Sequence, residues 1–261
     1  MHLGPYTFHP HFFFEALSYF IAFGVYLLLR SHFGDPIVTP LRWAVIAAAV
    51  AGAALGSKLL FWLEDPQVTW HSLHNPAYLV GGKTIVGALA FGLLSVELVK
   101  RYIGLRDSTG DLYAIPLALG IAIGRIGCFL TGLSDNTYGT PTTLPWAVNF
   151  GDGIPRHPTQ LYEIMFLLVL IPILYMILMW RQPPSAVQSS EVRQGLLPGD
   201  AFKFFMLAYM SFRLLCDFIK PYPRIFLGLG GIQWVCVLIL LYYSPDITRW
   251  LRLLLLRYQH A

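Results

Sequence analysis

Apolar runs long enough to cross about 30 Å of hydrocarbon at about 1.5 Å per helical residue recur along this chain, at 12–30, 43–63, 78–100, 112–131, 160–180, 201–219 and 227–244. Each is predicted as a membrane-spanning helix. A last stretch, Ile247 to Tyr258, sets Arg249, Arg252 and Arg257 among leucines, which predicts a short helix lying in the interface. The polar stretches in between are short, apart from the connection 132–159 and the Pro/Ser/Gln-containing loop 182–200. No linker marks a soluble domain and no internal repeat stands out. The predicted fold class is therefore all-α: a polytopic membrane protein with seven transmembrane helices, forming one domain over 1–261.

The loops predict an orientation. Arg30, His32 and Arg42 follow the first span, Lys100, Arg101 and Arg106 the third, and Arg181 and Arg193 the fifth, while the tail is rich in arginine. The side that collects Lys and Arg is the cytoplasmic one. The N-terminus is then outside and the C-terminus inside. Loop 182–200 is cytoplasmic, and the connection 132–159 is outside. Lys220 and Arg224 break this pattern, because they fall in the outer loop between spans six and seven. Charges that break the orientation rule mark another task.

Composition places the chain in the same class. It is 56% hydrophobic and only 12% charged, where a soluble domain carries about 25% charged residues. Mean hydropathy is +0.59 and the isoelectric point is near 9.0. In a membrane protein that basicity serves orientation and contact with anionic membrane lipids, not nucleic acid. Cys128, Cys216 and Cys236 all lie in apolar segments, and their spacing suits neither a zinc site nor a disulfide framework. The first ten residues carry no basic region of a cleavable signal.

Ionisable groups at membrane depth are costly and point to function. With the orientation fixed, Arg125 lies in the outer half of the fourth span. Tyr209, Arg213 and Asp217 follow at intervals of four and Lys220 at three, so they share one helical face. Gly81-Gly82-Lys83-Thr84 stands at the outer mouth of the third span, and His157 to Glu163 at that of the fifth. Arg125, Arg213, Lys220 and Lys83 outnumber the local acids, which predicts an anionic ligand such as a phosphodiester headgroup, held by bidentate guanidinium bonds. The competing reading is that Arg125 and Arg213 only neutralise buried acids such as Asp217 and Glu163. Gly124 and Gly127 flank Arg125 and permit close approach of a helix or ligand.

Other polar residues keep two readings. His157 is either a general base or a cap that fixes the 132–159 connection. Asp135 is either part of a turn with Asn136 or an acid that orients a nucleophile. Glu15, Glu97 and Lys58 are predicted to pair within the membrane, and Lys203 to extend toward the cytoplasmic interface. No serine stands in a nucleophile-elbow context and no histidine pair has metal-ligand spacing.

At these residues the chain resembles the prolipoprotein diacylglyceryl transferase family. The family's Gly-Arg-x-Gly-x-Phe run stands here as Gly124-Arg125-Ile126-Gly127-Cys128-Phe129, followed by Tyr138-Gly139-Thr140-Pro141-Thr142. Its Arg-His-Pro-Ser/Thr-Gln-Leu-Tyr-Glu string is Arg156 to Glu163, including Gln160, without a gap. Tyr209, Arg213 and Asp217 match its late segment, Lys220 falls where a basic residue is usual, and Gly231-Ile232-Gln233 resembles the element opening the last span. The resemblance implies an enzyme of the bacterial cytoplasmic (inner) membrane. It would move the diacylglyceryl group of phosphatidylglycerol to the lipobox cysteine on a prolipoprotein signal peptide, without metal or diffusible cofactor. Arg125 and Arg213 would hold the phosphate, and Tyr209, Lys220, Gly124, Gly127, Tyr138, Gln160, Glu163 and Asp217 would shape the substrate site.

The chain departs from the family in one half of this pattern. Val86 stands where many members carry a histidine, and Cys128, Thr131 and Leu133 replace two asparagines and a glutamate. Lys83, Asp135 and His157 are the candidates for the missing base. A different acceptor, or lipid binding or transport without turnover, are the alternatives to thiol transfer.

Overall fold

A computed structural model of the chain describes residues 2–3, 6–7, 10–35, 37–181 and 195–259. Most of the loop expected at 182–200 lies outside the described residues. The chain is mostly helical: α1 Pro10–Phe33, α2 Thr39–Glu64, α3 Pro66–His71, α4 Pro76–Val80, α5 Ile85–Tyr102, α6 Asp111–Thr131, α7 Thr159–Trp180, α8 Asp200–Cys216, α9 Gly231–Tyr242 and α10 Ser244–Gln259. Two minimal antiparallel ribbons accompany them, β1 His2–Leu3 with β2 Tyr6–Thr7 and β3 Val148–Asn149 with β4 Pro155–Arg156.

Every expected span falls on a helix, with local differences. The span expected at 78–100 is divided into α4 and α5 by Gly81–Thr84, where Gly82 has φ +39°. The span at 201–219 ends as α8 at Cys216 and finishes in a 3-10 turn, Asp217–Ile219. Among the described residues, four helical stretches are long and apolar enough to cross a membrane: α1, α2, α6 with its extension to Asp135, and α7. A fifth is counted when α9 and the start of α10 form one bent span. Glu97, Lys100 and Arg101 all fall inside α5, α8 has 17 residues and α9 has 12, which is why these three fall short by composition or length. The protein is thus a multi-pass helical membrane protein by its apolar helices.

The chain divides into two compact units, one of residues 1–34, 108–221 and 245–261 and the other of 35–107 and 222–244. In the first unit α6 packs against α1, α7 and α8, and α7 also packs against α8. Leu167, Leu170, Leu174 and Leu178 recur along one face of α7 and are buried, while Met165, Leu168, Val169 and Met176 on other faces are exposed. Such a helix, apolar on every side, is at home in lipid. Ala114, Ala118 and Ala122 give α6 a buried face of small residues, which lets neighbouring backbones approach. At the start of α6, Asp111 accepts hydrogen bonds from Arg181 Nη1 at 2.7 Å and from the backbone N–H groups of Gly199, Ala201 and Phe202 at 2.7, 3.1 and 3.2 Å. One carboxylate therefore caps the N-terminus of α8 from another helix. Asp200 pairs with Arg249, and Lys203 donates to Asp246 at 2.7 Å. The Lys203 ammonium thus has a partner on α10.

In the second unit α2 and α5 lie so close that a Cβ on Gly56 would come 2.4 Å from Gly87 O, and one on Gly87 2.3 Å from Gly56 O. Gly52, four residues before Gly56, meets Phe91 O in the same way at 2.6 Å. Helix α9 packs against both. The Lys58 ammonium donates to the carbonyls of Val80, Gly81 and Gly82, and Glu97 accepts from Lys100 at 3.0 Å. The expected pairing of Lys58 with an intramembrane acid is therefore replaced by carbonyl contacts. The broken backbone between α4 and α5 offers acceptors that no regular helix has.

Candidate active site

Arg125 is placed by the last turns of α6, Glu163 by the first turn and a half of α7, and Tyr209, Arg213 and Asp217 by successive turns of α8 and its 3-10 extension. These residues and Lys220 converge. Arg125 Nε lies 2.9 Å from Glu163 Oε2, and Arg213 Nη1 lies 3.8 Å from the same oxygen. Tyr209 Oη donates to Glu163 Oε1 at 2.6 Å. Arg213 Nη2 donates to Asp217 Oδ1 at 2.9 Å, and Lys220 Nζ is 3.9 Å from that oxygen. All six side chains are buried, Arg125 being the most exposed at 6%.

The face shared by Tyr209, Arg213, Asp217 and Lys220 is thus one wall of a single ionic cluster. Both readings of the arginines meet here: they do neutralise Glu163 and Asp217, yet three cations stand against two carboxylates. That surplus is the electrostatic condition for an anion, and carboxylates that fix a guanidinium plane preorganise its remaining donors.

A loop from 137 to 140 crosses the helix ends beside this cluster. Thr159 Oγ1 donates to Thr137 O at 2.6 Å, and Gln160 Nε2 donates to Thr137 Oγ1 at 3.2 Å. Gly139 N donates to His157 O at 2.9 Å, His157 N to Thr140 O at 3.1 Å and Thr140 N to Ile219 O at 2.8 Å. The Tyr-Gly-x-Pro-Thr and Arg-His-Pro-Thr-Gln strings are thus two sides of one backbone ladder. Arg156 lies over the Tyr138 ring, its Cζ 4.9 Å from the centroid. Asp152 holds Arg156 with two contacts of 2.7 Å, and the hydrogen bond from Arg156 keeps the exposed Asp152 carboxyl below the usual carboxylate range.

The other candidates have contacts of their own. His157 Nδ1 is 3.2 Å from Tyr162 Oη, which accepts from Trp146 Nε1 at 2.8 Å. Asp135 Oδ1 is 3.0 Å from His11 Nδ1, and Asp135 Oδ2 accepts from Thr137 Oγ1 at 2.5 Å. Gly127 lets α1 approach, since a Cβ there would lie 2.8 Å from Phe14 Cβ, whereas a Cβ on Gly124 would meet nothing within 4 Å. Lys83 belongs to the second unit and is exposed just before α5, and Val86 is fully buried in that unit. Arg224 Nη1 donates to Gln233 Oε1 at 2.5 Å. Of the two charges that break the orientation rule, Lys220 therefore joins the cluster and Arg224 holds the start of α9.

Sequence reasoning does not bring in His11 or Thr137. His11 stands at the mouth of the first span on the side expected to hold the 132–159 connection, so Asp135, an acid in need of a partner, was the available signal.

A multi-pass helical protein with two arginines and a lysine buried against carboxylates at the helix ends defines a class, membrane enzymes and binders of anionic lipid. The comparisons with known proteins narrow it. A family model described as prolipoprotein diacylglyceryl transferase matches residues 33–244, and the chain belongs to that family. It is 32% identical to the phosphatidylglycerol–prolipoprotein diacylglyceryl transferase of Polynucleobacter asymbioticus over 247 residues, covering 85% of each chain. It is also 32% identical to the enzyme of the same name from Bordetella bronchiseptica over 257 residues, 91% of this chain and 88% of that one. The likeness to the one from Methylococcus capsulatus is 33% over 217 residues, 77% and 72% of the two chains.

Proposed function

We propose that this protein transfers the diacylglyceryl group of phosphatidylglycerol to the lipobox cysteine of prolipoproteins. The observation that carries the reading is the shared contact of Arg125 and Arg213 with Glu163, with Lys220 alongside. It is a buried cationic centre on the residues that match the family's motifs. In the reaction a sulfur–carbon bond forms to the glyceryl carbon as the bond from that carbon to the phosphate oxygen breaks. Glycerol phosphate leaves with the electron pair, and the thiol proton passes to a base. Arg125 and Arg213 bind the phosphate and stabilise the charge that grows on it. Glu163 and Asp217 orient them, Tyr209 fixes Glu163, and Lys220 adds positive charge. Gln160, whose Oε1 has no hydrogen-bond partner among the described residues, serves a glycerol hydroxyl. Tyr138, Gly124 and Gly127 shape the walls.

The base is chosen from Asp135, His157 and Lys83. The ion pair with His11 favours Asp135 as part of a dyad. We take 1–261 as one transferase domain of seven spans in the bacterial inner membrane, N-terminus outside and C-terminus cytoplasmic, with the arginine cluster in the outer leaflet. The basic loops and the helix at each expected span support this arrangement.

The test is purified protein in phosphatidylglycerol vesicles with a lipobox peptide. The expected result is a thioether product by mass and equimolar glycerol phosphate, both lost in Arg125→Ala and in Arg213→Ala. Transfer retained in both variants would remove the phosphate role. A second reading, a different acceptor, is favoured by the fully buried Val86 at the family's histidine position. Glycerol phosphate release without any peptide would select it, and bound lipid without turnover would leave a lipid-binding role.

A further inference from the structure

The transfer reading takes Asp135, with His11, only as one candidate base, and leaves Cys128 beside them unused. His11 opens α1, Cys128 lies in the last turn of α6, and Asp135 ends the 3-10 turn that follows α6. One donor atom from each, the histidine nitrogen, the thiol sulfur and a carboxylate oxygen, lies within 4.8 Å of the other two. We propose that these three residues form a binding site for a divalent cation of the zinc class.

The donor set and its dimensions carry the inference. Nitrogen, thiolate sulfur and carboxylate oxygen are the three ligand types zinc takes, and bonds of about 2.0–2.3 Å in a tetrahedron put neighbouring donors about 3.3–3.6 Å apart. Here His11 Nδ1 is 3.0 Å from Asp135 Oδ1 and 3.9 Å from Cys128 Sγ. The two distances bracket that edge, and the third, between Cys128 Sγ and the Asp135 carboxylate, is within 4.8 Å.

The surroundings are arranged as around known metal ligands. A ligating histidine commonly turns its second nitrogen to a carboxylate, and ligating carboxylates are themselves hydrogen-bonded. The second nitrogen of His11, Nε2, faces Glu15 Oε2 at 3.6 Å, and Thr137 Oγ1 donates to Asp135 Oδ2 at 2.5 Å, leaving Oδ1 toward His11. Cys128 Sγ lies 3.9 Å from Arg125 Nη1. The charge of Arg125 is matched by Glu163, which moderates its repulsion of a nearby cation.

Three protein donors leave a fourth place for water or an entering ligand, the pattern of open rather than closed zinc sites. The site departs from the metal-free expectation drawn from the family. It depends on Cys128, which stands where the family pattern has an asparagine. It does not rest on the transfer reading.

The test is a Co2+ titration of the whole protein, stripped with chelator and purified in detergent. One equivalent is expected to bring up tetrahedral cobalt bands with a thiolate-to-cobalt charge-transfer band, and Zn2+ to bleach them. Cys128→Ser, close to isosteric, is expected to lose the charge-transfer band. His11→Ala is expected to weaken binding, and Thr137→Val to weaken it about tenfold through Asp135. Circular dichroism and the thermal midpoint show that each variant is folded. Absence of a tetrahedral spectrum in the folded wild type, or a charge-transfer band that survives Cys128→Ser, overturns the site and leaves His11 and Asp135 as an ion pair only. Both readouts are independent of lipid transfer.

Discussion

A single carboxylate oxygen, Glu163 Oε2, lies 2.9 Å from Arg125 Nε and 3.8 Å from Arg213 Nη1. Glu163 on α7 thus joins the arginines of α6 and α8. Removing one member of a buried ionic group leaves the others uncompensated, at a cost of about 3–5 kcal/mol. Glu163→Gln is therefore expected to lower the thermal unfolding midpoint of the detergent-purified protein clearly, and to reduce transfer in the folded fraction. An unchanged midpoint would mean that other groups hold both guanidiniums.

Arg125→Lys keeps the charge but loses the planar fork that binds two phosphate oxygens together. The rate of transfer from phosphatidylglycerol is expected to fall about 100-fold or more, as for loss of one preorganised donor. Lys220→Met, which removes a charge 3.9 Å from Asp217, is expected to act more on KM than on kcat. Initial rates over a range of lipid mole fractions separate the two. Equal losses in both variants would contradict the division of labour.

Gly139 and Gly124 make a paired test of the loop. A Cβ at 139 would sit 2.6 Å from His157 Cβ and 2.8 Å from Ile219 O, and overpacking against backbone costs about 1–3 kcal/mol. Gly139→Ala is expected to loosen the 137–140 ladder and speed protease cleavage between 132 and 159. Gly124→Ala, with nothing within 4 Å, is expected to leave the cleavage rate at the wild-type value. The same rate in both variants would show that the ladder does not depend on the glycine.

Asp111 lies at the opposite end of α6 from Arg125 and touches none of the cluster. Asp111→Asn weakens the cap on α8 and the pair with Arg181, so a loss of about 3 kcal/mol or more is expected. The kinetics per folded molecule should stay at the wild-type value. A selective loss of kcat would instead tie this end of the bundle to the chemistry.

Much of this arrangement was legible in the sequence. Hydropathy located the long helices but not the short α3, because a bilayer leaves few other options for long apolar runs. The spacing of Tyr209, Arg213, Asp217 and Lys220 gave one wall of the cluster, since helical periodicity is a local property. The partners were less accessible. Nothing in local pattern says that Glu163 reaches both arginines, or that Asp111 caps a helix whose first residue is Asp200. The break at Gly81–Thr84 was hidden inside an apolar run. Lys58 was expected to seek an acid, because carbonyls released by a broken helix cannot be foreseen from composition. His11 and Cys128 meet only because α1 packs along α6, and tertiary contacts of that range leave no periodic trace.

The contact of Lys58 with the carbonyls of Val80, Gly81 and Gly82 has a consequence for biogenesis. Where such an interrupted backbone enters lipid, its exposed acceptors must be satisfied as it goes in. Synthesis runs from N- to C-terminus, so the ammonium on α2 is made before those acceptors leave the ribosome. The order of translation thus supplies the donor before the demand.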